Sequence, residues 1–539
     1  HRDISSLIDP VVQEYIYHKG LYLREPEYKP IVRAKAISFE NQGQPGWEVL
    51  DHLGNTVLYR NPEAEAVLSR IGYEKDQLLI LKNAAEGDRP VGFVSFRELR
   101  SEELFGVLKS MELANAVRRR TSREVLYITG IHAREREIHD GEAIRDPAQL
   151  LLAEVITQAL EKNCSFAIFA AERGTVFKEA AFALERQGFV RPELLEEGEK
   201  RVIYMVDMHE PLMLLHNLET TLKEPFGSSP AVLSAIERNH KKLQTAMTKL
   251  YPGNLVLSLS SGVMHHRMVD RITALNGVPG EPLTPRRLGE NMCVPFGKIL
   301  RGKVVPNTVT KTLHTDKVYE PELDSYAIEA FPYYSPLESQ IKTIRSFDRP
   351  VILVDDLVHK ADRLQALAPS LKKAGIPVKK VVVGVISGYG RDLMETFHLP
   401  VESIYSMPNL RQWFVESTLY PFIGGDTVRR RDMKVAGLQP SVNMILPYAA
   451  PRLSGCSREA LYEFSVCCIE NSRDLLQVLE AEYRSQFARN LTLSRLSEAV
   501  ILPLCPDKGS CMEYDENLAA SVYLENDLEM LGRMKKFMV

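Results

Sequence analysis

The residues best suited to hold a charged, hydroxyl-bearing ligand fall in one stretch. The apolar run Pro350-Val351-Ile352-Leu353-Val354 ends in Asp355-Asp356 and continues as Leu357-Val358-His359-Lys360-Ala361-Asp362-Arg363. Two carboxylates at the tip of a buried strand repel each other and lose hydration, so they call for a diol, a bound cation, or neighbouring Lys and Arg as partners. Lys360 and Arg363 supply positive charge there, and a guanidinium binds phosphate through two parallel hydrogen bonds. Three other stretches offer related chemistry. Ser260-Ser261-Gly262 separates the β-rich Leu255-Val256-Leu257-Ser258-Leu259 from a helical pattern with Met264, Met268 and Ile272. Backbone amides in such a turn can bind an anion, although similar turns close many ordinary α/β units. The strand pattern Lys380 to Ile386 runs into Ser387-Gly388-Tyr389-Gly390-Arg391, whose Gly388 and Gly390 could line the same crevice. Trp413, beside Phe414, offers a ring on which a base could stack, although such a ring is more often a core anchor.

These groups need a scaffold, and the periodicity supplies one. From about Ile31 to Asp207 short strands alternate with helices. Hairpins are expected at Val49 to Tyr59 and between Leu78–Lys82 and Val91–Phe96, strands at Glu124–Thr129, Phe166–Ala170 and Val202–Val206, a helix after Pro147, and a helix from Phe177 to Arg186 ending at Gly188-Phe189. His209 to Tyr251 reads as a helical connector, with Leu233, Ile236, Leu243 and Met247 on one face. His209 and His216, seven apart, could share a helical face but read as structural. Beyond Gly424-Gly425-Asp426, helices are expected at Arg458–Glu470, Ser472–Gln486 and Ser494–Val500. Their amphipathic faces suggest packing or assembly, with a homo-oligomer left open.

Composition bounds the function classes. With 539 residues, 45% hydrophobic and 26% charged, the chain is globular, and at about 150 residues per domain it holds three or four domains. A net charge of -4 and a pI of 6.4 argue against a chain-wide nucleic-acid surface, and Arg118-Arg119-Arg120 and Arg429-Arg430-Arg431 read as solvated faces. Seven cysteines without a CxxC pair read as reduced thiols, hence a cytoplasmic location. There is no zinc-ribbon spacing and no HExxH, and the adjacent His265 and His266 would diverge on a helix, so no metal site is expected. No apolar run is long enough to span a bilayer, so no membrane partner is expected. The start at His1-Arg2-Asp3 reads as a piece of something longer.

Three resemblances add to this reading. Ile4-Ser5-Ser6-Leu7-Ile8-Asp9-Pro10 through Tyr15-Ile16 to Gly20-Leu21-Tyr22 resembles the C-terminal tail of nicotinate/nicotinamide-mononucleotide adenylyltransferases, a cytidylyltransferase-related family. Residues 31–208, ending Ala181-x-x-Leu184-x-x-x-Gly188-Phe189, resemble the GNAT N-acetyltransferase superfamily. There the acetyl-CoA pyrophosphate sits on a glycine-rich loop at a helix N-terminus; here Arg145-Asp146-Pro147-Ala148-Gln149 lacks the glycines and adds a carboxylate. The stretch around Asp355-Asp356 resembles the phosphoribosyl pyrophosphate (PRPP) signature of type I phosphoribosyltransferases. Ser260-Ser261-Gly262 then matches the pyrophosphate turn, and Lys298 to Tyr319 a mobile hood. By that resemblance Asp355 and Asp356 are catalytic and hold the ribose hydroxyls, Ser260, Ser261, Gly262, His359, Lys360, Arg363, Gly388, Gly390 and Trp413 bind the ligand, and Mg²⁺ is the cofactor. The chain departs from that family's pattern in having His359-Lys360-Ala361-Asp362-Arg363 where threonine and glycine are usual.

The expected fold class is therefore α/β multidomain. It comprises a nucleotidyltransferase-like tail (1–30), a GNAT-like mixed sheet (31–208), a connector (209–253), a phosphoribosyltransferase-like parallel sheet (254–435) and a helical C-terminal region (436–539). The expected function is that of a nucleotide-metabolism transferase binding or turning over a phosphorylated ribose, as PRPP or a nucleotide. The competing expectation is an inactive ligand-sensing or assembly module.

Overall fold

A computed structural model describes residues 37–43, 62–72, 75–83, 89–133, 137–139, 142–144, 146–172, 178–193, 201–283, 287–298, 300, 303–331, 334–429, 438–451, 453, 455–507 and 514–538. The adenylyltransferase-like tail, the hairpin expected at Val49 to Tyr59, and Arg145, Arg430, Arg431 and Cys511 lie outside the described residues. The chain divides into two units: a larger one holding residues 36–260, 410–426 and 430–539, and a smaller one holding 1–35, 261–409 and 427–429.

The larger unit is built on a mixed sheet. Strands β1 (Ile37–Gln42), β2 (Gln77–Asn83), β3 (Arg89–Leu99) and β4 (Val125–Ala133) are antiparallel in sequence, and β5 (Phe166–Glu172) joins β4 in parallel. The crossover from β4 to β5 contains helix α1 (Pro147–Glu161), and helix α2 (Lys178–Arg186) follows β5. Leu151, Leu152, Val155, Ile156 and Leu160 bury the apolar face of α1. Strand β6 (Arg201–His216) is longer than expected. Its first half pairs antiparallel with β5. After a register shift between Asp207 and Leu212 its second half pairs in parallel with β7 (Asn254–Ser260) on one edge and with the strand Gln412–Val415 on the other.

The segment expected as helix from His209 is thus strand as far as His216. Leu212, Met213, Leu214 and Leu215 are all buried, as a strand with neighbours on both edges requires. Helix α3 (Pro230–Thr248) begins only after Ser229. It packs with the helix Arg458–Phe487 around Ile236, Leu243, Met247, Phe464, Leu475 and Leu479. The two helices expected at Arg458–Glu470 and Ser472–Gln486 are this one helix of 30 residues, since no Gly or Pro interrupts it at Asn471.

The smaller unit contains a parallel sheet. Helix α4 (Ser261–Leu275) opens it, followed by β8 (Met292–Pro295), β9 (Val309–Thr310), α5 (Leu337–Ser346), β10 (Val351–Val358), α6 (Asp362–Lys373), β11 (Val378–Ser387), α7 (Gly388–Thr396) and β12 (Val401–Met407). The strand order is β9-β8-β10-β11-β12, every neighbouring pair parallel. One face packs Val351, Leu353, Val381 and Val383 against Ile341, Ile344, Leu364, Leu367 and Met394. On the other, a Cβ at Gly384 would lie 2.4 Å from the sulfur of Met264, so this mid-strand glycine makes room for α4. The stretch likened to a hood carries β9 and the strand Thr315–Tyr319, which forms an antiparallel hairpin with Tyr326–Ala330. Among the described residues no helix is long and apolar enough to cross a membrane.

Candidate functional site

The sheet order of the smaller unit defines a crevice. From β8 the chain steps outward to β9, whereas from β10 it steps the opposite way to β11 and β12. The strand order therefore reverses between β8 and β10, and open α/β sheets bind ligands outside the carboxyl ends of the strands at such a point. β8 ends there in Pro295-Phe296-Gly297-Lys298, and β10 places Asp355 and Asp356 beside it.

The two acids are not equivalent. Asp355 is 5% exposed; its Oδ1 accepts from the Asp356 amide at 2.9 Å and from Arg363 Nη1 at 3.1 Å. Asp356 is half-buried, and its Oδ2 accepts from the Lys298 amide at 2.8 Å. A Cβ on Gly297 would lie 2.5 Å from an oxygen of each acid, so glycine here lets the β8 loop close onto them. Burial pushes the Asp355 carboxyl up to about 6. The Arg363 charge opposes that rise and the Asp356 charge reinforces it. Burial works against the Arg363 charge, yet Asp355, Asp356 and Asp316 outweigh it and hold the guanidinium charged.

The remaining loop residues serve mainly one another. His359 Nδ1 is 2.8 Å from Ser387 Oγ, and that hydroxyl accepts from the Gly390 amide at 3.0 Å, capping α7. A Cβ on Gly390 would meet the Val358 carbonyl at 2.3 Å, and one on Gly388 the Pro408 carbonyl at 2.6 Å. Both glycines are thus required by close backbone approach, and the Gly390 amide is already used by Ser387. Ala361, at the N-cap of α6, has φ 54°, a left-handed conformation that favours glycine. Lys360 is exposed in the loop, and its carbonyl accepts from Gln365. In the same unit Lys303 Nζ lies 3.2 Å from His265 Nδ1; burial drives the lysine down to about 8 and, with the Lys303 charge, the histidine down to about 2.

Several expected site residues lie elsewhere. Ser260 ends β7, a strand of the larger unit's sheet, and Ser261 and Gly262 are already the first turn of α4. The run Leu255 to Leu259 reads as a buried parallel strand in either sheet, and the free edge of β6 takes it. Trp413 lies in the strand paired with β6, also in the larger unit, and is 37% exposed. His209 and His216 share no helix face: His209 pairs with Asp207, while His216 meets Glu416 from the neighbouring strand end and His240 from α3. Sequence reasoning missed that second group because its members lie 24 and 176 residues apart, outside any local motif.

In the larger unit, α1 begins at Asp146, which stands at φ 47°, accepts from the Gln149 amide, and pairs with Arg186. The helix terminus where an acetyl-CoA pyrophosphate is expected in the GNAT resemblance is therefore capped by the chain's own carboxylate.

No protein-family model and no curated protein matches the chain. Solved structures similar to part of it include N-acetyltransferases. A GNAT-family protein from Desulfovibrio desulfuricans is 14% identical, covering 32% of this chain and 99% of that one, with a TM-score of 0.22. The Campylobacter jejuni N-acetyltransferase PseH is 11% identical over 32% of this chain and 99% of its own, with a TM-score of 0.19. The Drosophila melanogaster polyamine N-acetyltransferase is 10% identical over 32% of this chain and 100% of its own, with a TM-score of 0.21.

Proposed function

We infer that the smaller unit binds a phosphorylated ribose, as a nucleotide or PRPP, in the crevice between the ends of β8 and β10. The observation that carries this reading is the paired acids Asp355 and Asp356 at the point where the strand order reverses. Their division of labour supports it. Asp356 is half-buried and suits a sugar diol, whereas Asp355 is buried and fixes Arg363 at the start of α6. The other guanidinium nitrogens of Arg363 and the Lys360 ammonium are the chain's candidates for the phosphate. Phosphate recognition then rests on side-chain charge where the resembled family uses a glycine-lined loop.

The magnesium expected from that resemblance would be held chiefly by the ligand, bridging its pyrophosphate and ribose hydroxyls. Asp355 is paired with Arg363 and one oxygen of Asp356 accepts from a backbone amide, so Asp356 is the carboxylate of this pair better placed to approach such an ion. No step is assigned to it. Calorimetry on the full chain with PRPP and nucleoside monophosphates tests the reading. The wild type binds at least one of them, and Asp355→Asn with Asp356→Asn loses that binding while remaining folded. Unchanged affinity in the double variant, or no binding by the wild type, removes the site from the crevice. Release of pyrophosphate from PRPP in the presence of a base separates turnover from binding.

A second reading, acyl transfer by the larger unit, is favoured by one feature. β4 and β5 pair only from Leu126–Ala167 to Ile128–Phe169, although both strands continue further. Parallel strands that part company offer facing edges to an extended arm with amide groups, such as that of an acyl thioester. Acetyl-CoA binding to the full chain tests this reading independently of the first; because Asp146 caps α1, tight binding is expected only once that carboxylate is removed.

A further inference from the structure

We propose that His216, His240 and Glu416, in the larger unit, form a binding site for a divalent transition metal of the zinc class. Strand pairing builds the site. Leu215 is in register with Val415, so the residues that follow, His216 and Glu416, lie side by side at the carboxyl ends of neighbouring parallel strands. Helix α3 lays His240 over them, with its ring centroid 4.1 Å from that of His216. Glu416 Oε2 is 2.8 Å from His216 Nδ1 and 2.8 Å from His240 Nε2, and the three candidate ligand atoms all lie within 4.8 Å of one another. Two imidazoles and one carboxylate are a donor set suited to zinc, and they leave a fourth position for water.

The surroundings are those of an oriented ligand set. Glu416 is fully buried, and its second oxygen, Oε1, accepts from the Tyr420 hydroxyl at 3.0 Å. Asn471 in turn donates to Tyr420, which fixes the carboxylate and points Oε2 at the histidines. The independent observation is Gln244. Its Nε2 lies 3.1 Å from His216 Nε2, while its buried Oε1 has no hydrogen-bond partner. Amide oxygen and nitrogen are assigned from their surroundings, and exchanging them turns Oε1 toward His216 Nε2. That position requires a proton on Nε2 and leaves the Nδ1 lone pair facing the lone pairs of Glu416 Oε2. A second proton, giving an imidazolium, or a metal cation between them relieves this repulsion. A metal at Nδ1 with an acceptor on Nε2–H is the usual pairing around a ligating histidine.

The test uses the full chain and the metal alone. Protein freed of metal by chelator dialysis is titrated with Co²⁺ and Zn²⁺. About one equivalent should bind, with the visible d–d absorption of nitrogen- and oxygen-ligated Co²⁺ and a rise in melting temperature on Zn²⁺ addition. Glu416→Gln and His240→Ala should abolish the Co²⁺ spectrum. Gln244→Leu, which touches no ligand atom directly bound to metal, should weaken Zn²⁺ binding about tenfold or more. A wild-type chain that takes up no Co²⁺ or Zn²⁺ and melts at the same temperature with and without chelator would overturn the proposal, leaving a hydrogen-bonded His-Glu-His cluster. Tight binding that survives both ligand substitutions would overturn it as well.

Discussion

Removing Arg363 separates its role toward Asp355 from any role toward a ligand, because the two respond differently to pH. In the wild type the Asp355 carboxyl titrates near 6, raised by burial from an unfolded value near 3.8. A raised carboxyl binds its proton more tightly in the folded state, so it disfavours folding increasingly as pH rises from about 4 to 6, after which the term is constant. Arg363→Ala removes the attraction that stops this rise, and the folded carboxyl then titrates higher. At pH 5 the group is protonated in both proteins, and the loss is that of one hydrogen bond, about 1 kcal/mol. Above pH 6 each further unit adds about 1.4 kcal/mol until the new value is reached. The excess loss between pH 6 and 8 is therefore at most about 3 kcal/mol, reached only if the variant's carboxyl titrates at the top of that range. Amide hydrogen exchange of β10 and β11, compared with wild type at each pH, reads this opening free energy within the unit concerned. Adding Asp355→Asn should remove the pH dependence. An Arg363→Ala loss of the same size at pH 5 and 8, unaffected by Asp355→Asn, would refute the ion-pair account and leave Arg363 to the ligand alone.

Two further outcomes are expected. Gly297→Ala places a methyl 2.5 Å from both acids, so it should cost about 1–3 kcal/mol in the same exchange measurement and abolish ribose-phosphate binding; wild-type affinity in this variant would show that the β8 loop does not shape the crevice. Acetyl-CoA should bind the full chain weakly or not at all because Asp146 caps α1 with its own charge, and Asp146→Gly should strengthen binding; a dissociation constant near 1 μM in the wild type, about -8 kcal/mol, would contradict this.

Much of the local structure was legible in the sequence. Alternating apolar and polar segments marked β2, β3, β4 and β5 and the helices after Pro147 and before Gly188-Phe189, because period and turn residues are local properties. The continuous run Pro350 to Val354 identified a buried strand, and the structure makes it the central strand of the parallel sheet; the strand does not end at the two acids, as the sequence suggests, but runs on to Val358, because β11 pairs with it as far as Ile386. The adjacency of Ser387, Gly388 and Gly390 to a strand end was likewise readable.

Only the tertiary structure decided which strands are neighbours. An all-apolar parallel strand carries no mark of its partner, so Leu255 to Leu259 fitted the sheet of Asp355 as well as that of β6, and Ser260 and Trp413 went to the larger unit. Long-range pairing also decided what the charged groups do. Arg363 lies eight residues from Asp355 and was open to either a phosphate or a neutralising role, and one turn of α6 settles its nearest acceptor. His216 and Glu416 lie 200 residues apart and meet only because Leu215 and Val415 share a register. The sequence by itself determined which residues could do chemistry; the pairing of strands, fixed by burial on both faces of each sheet, determined which of them meet.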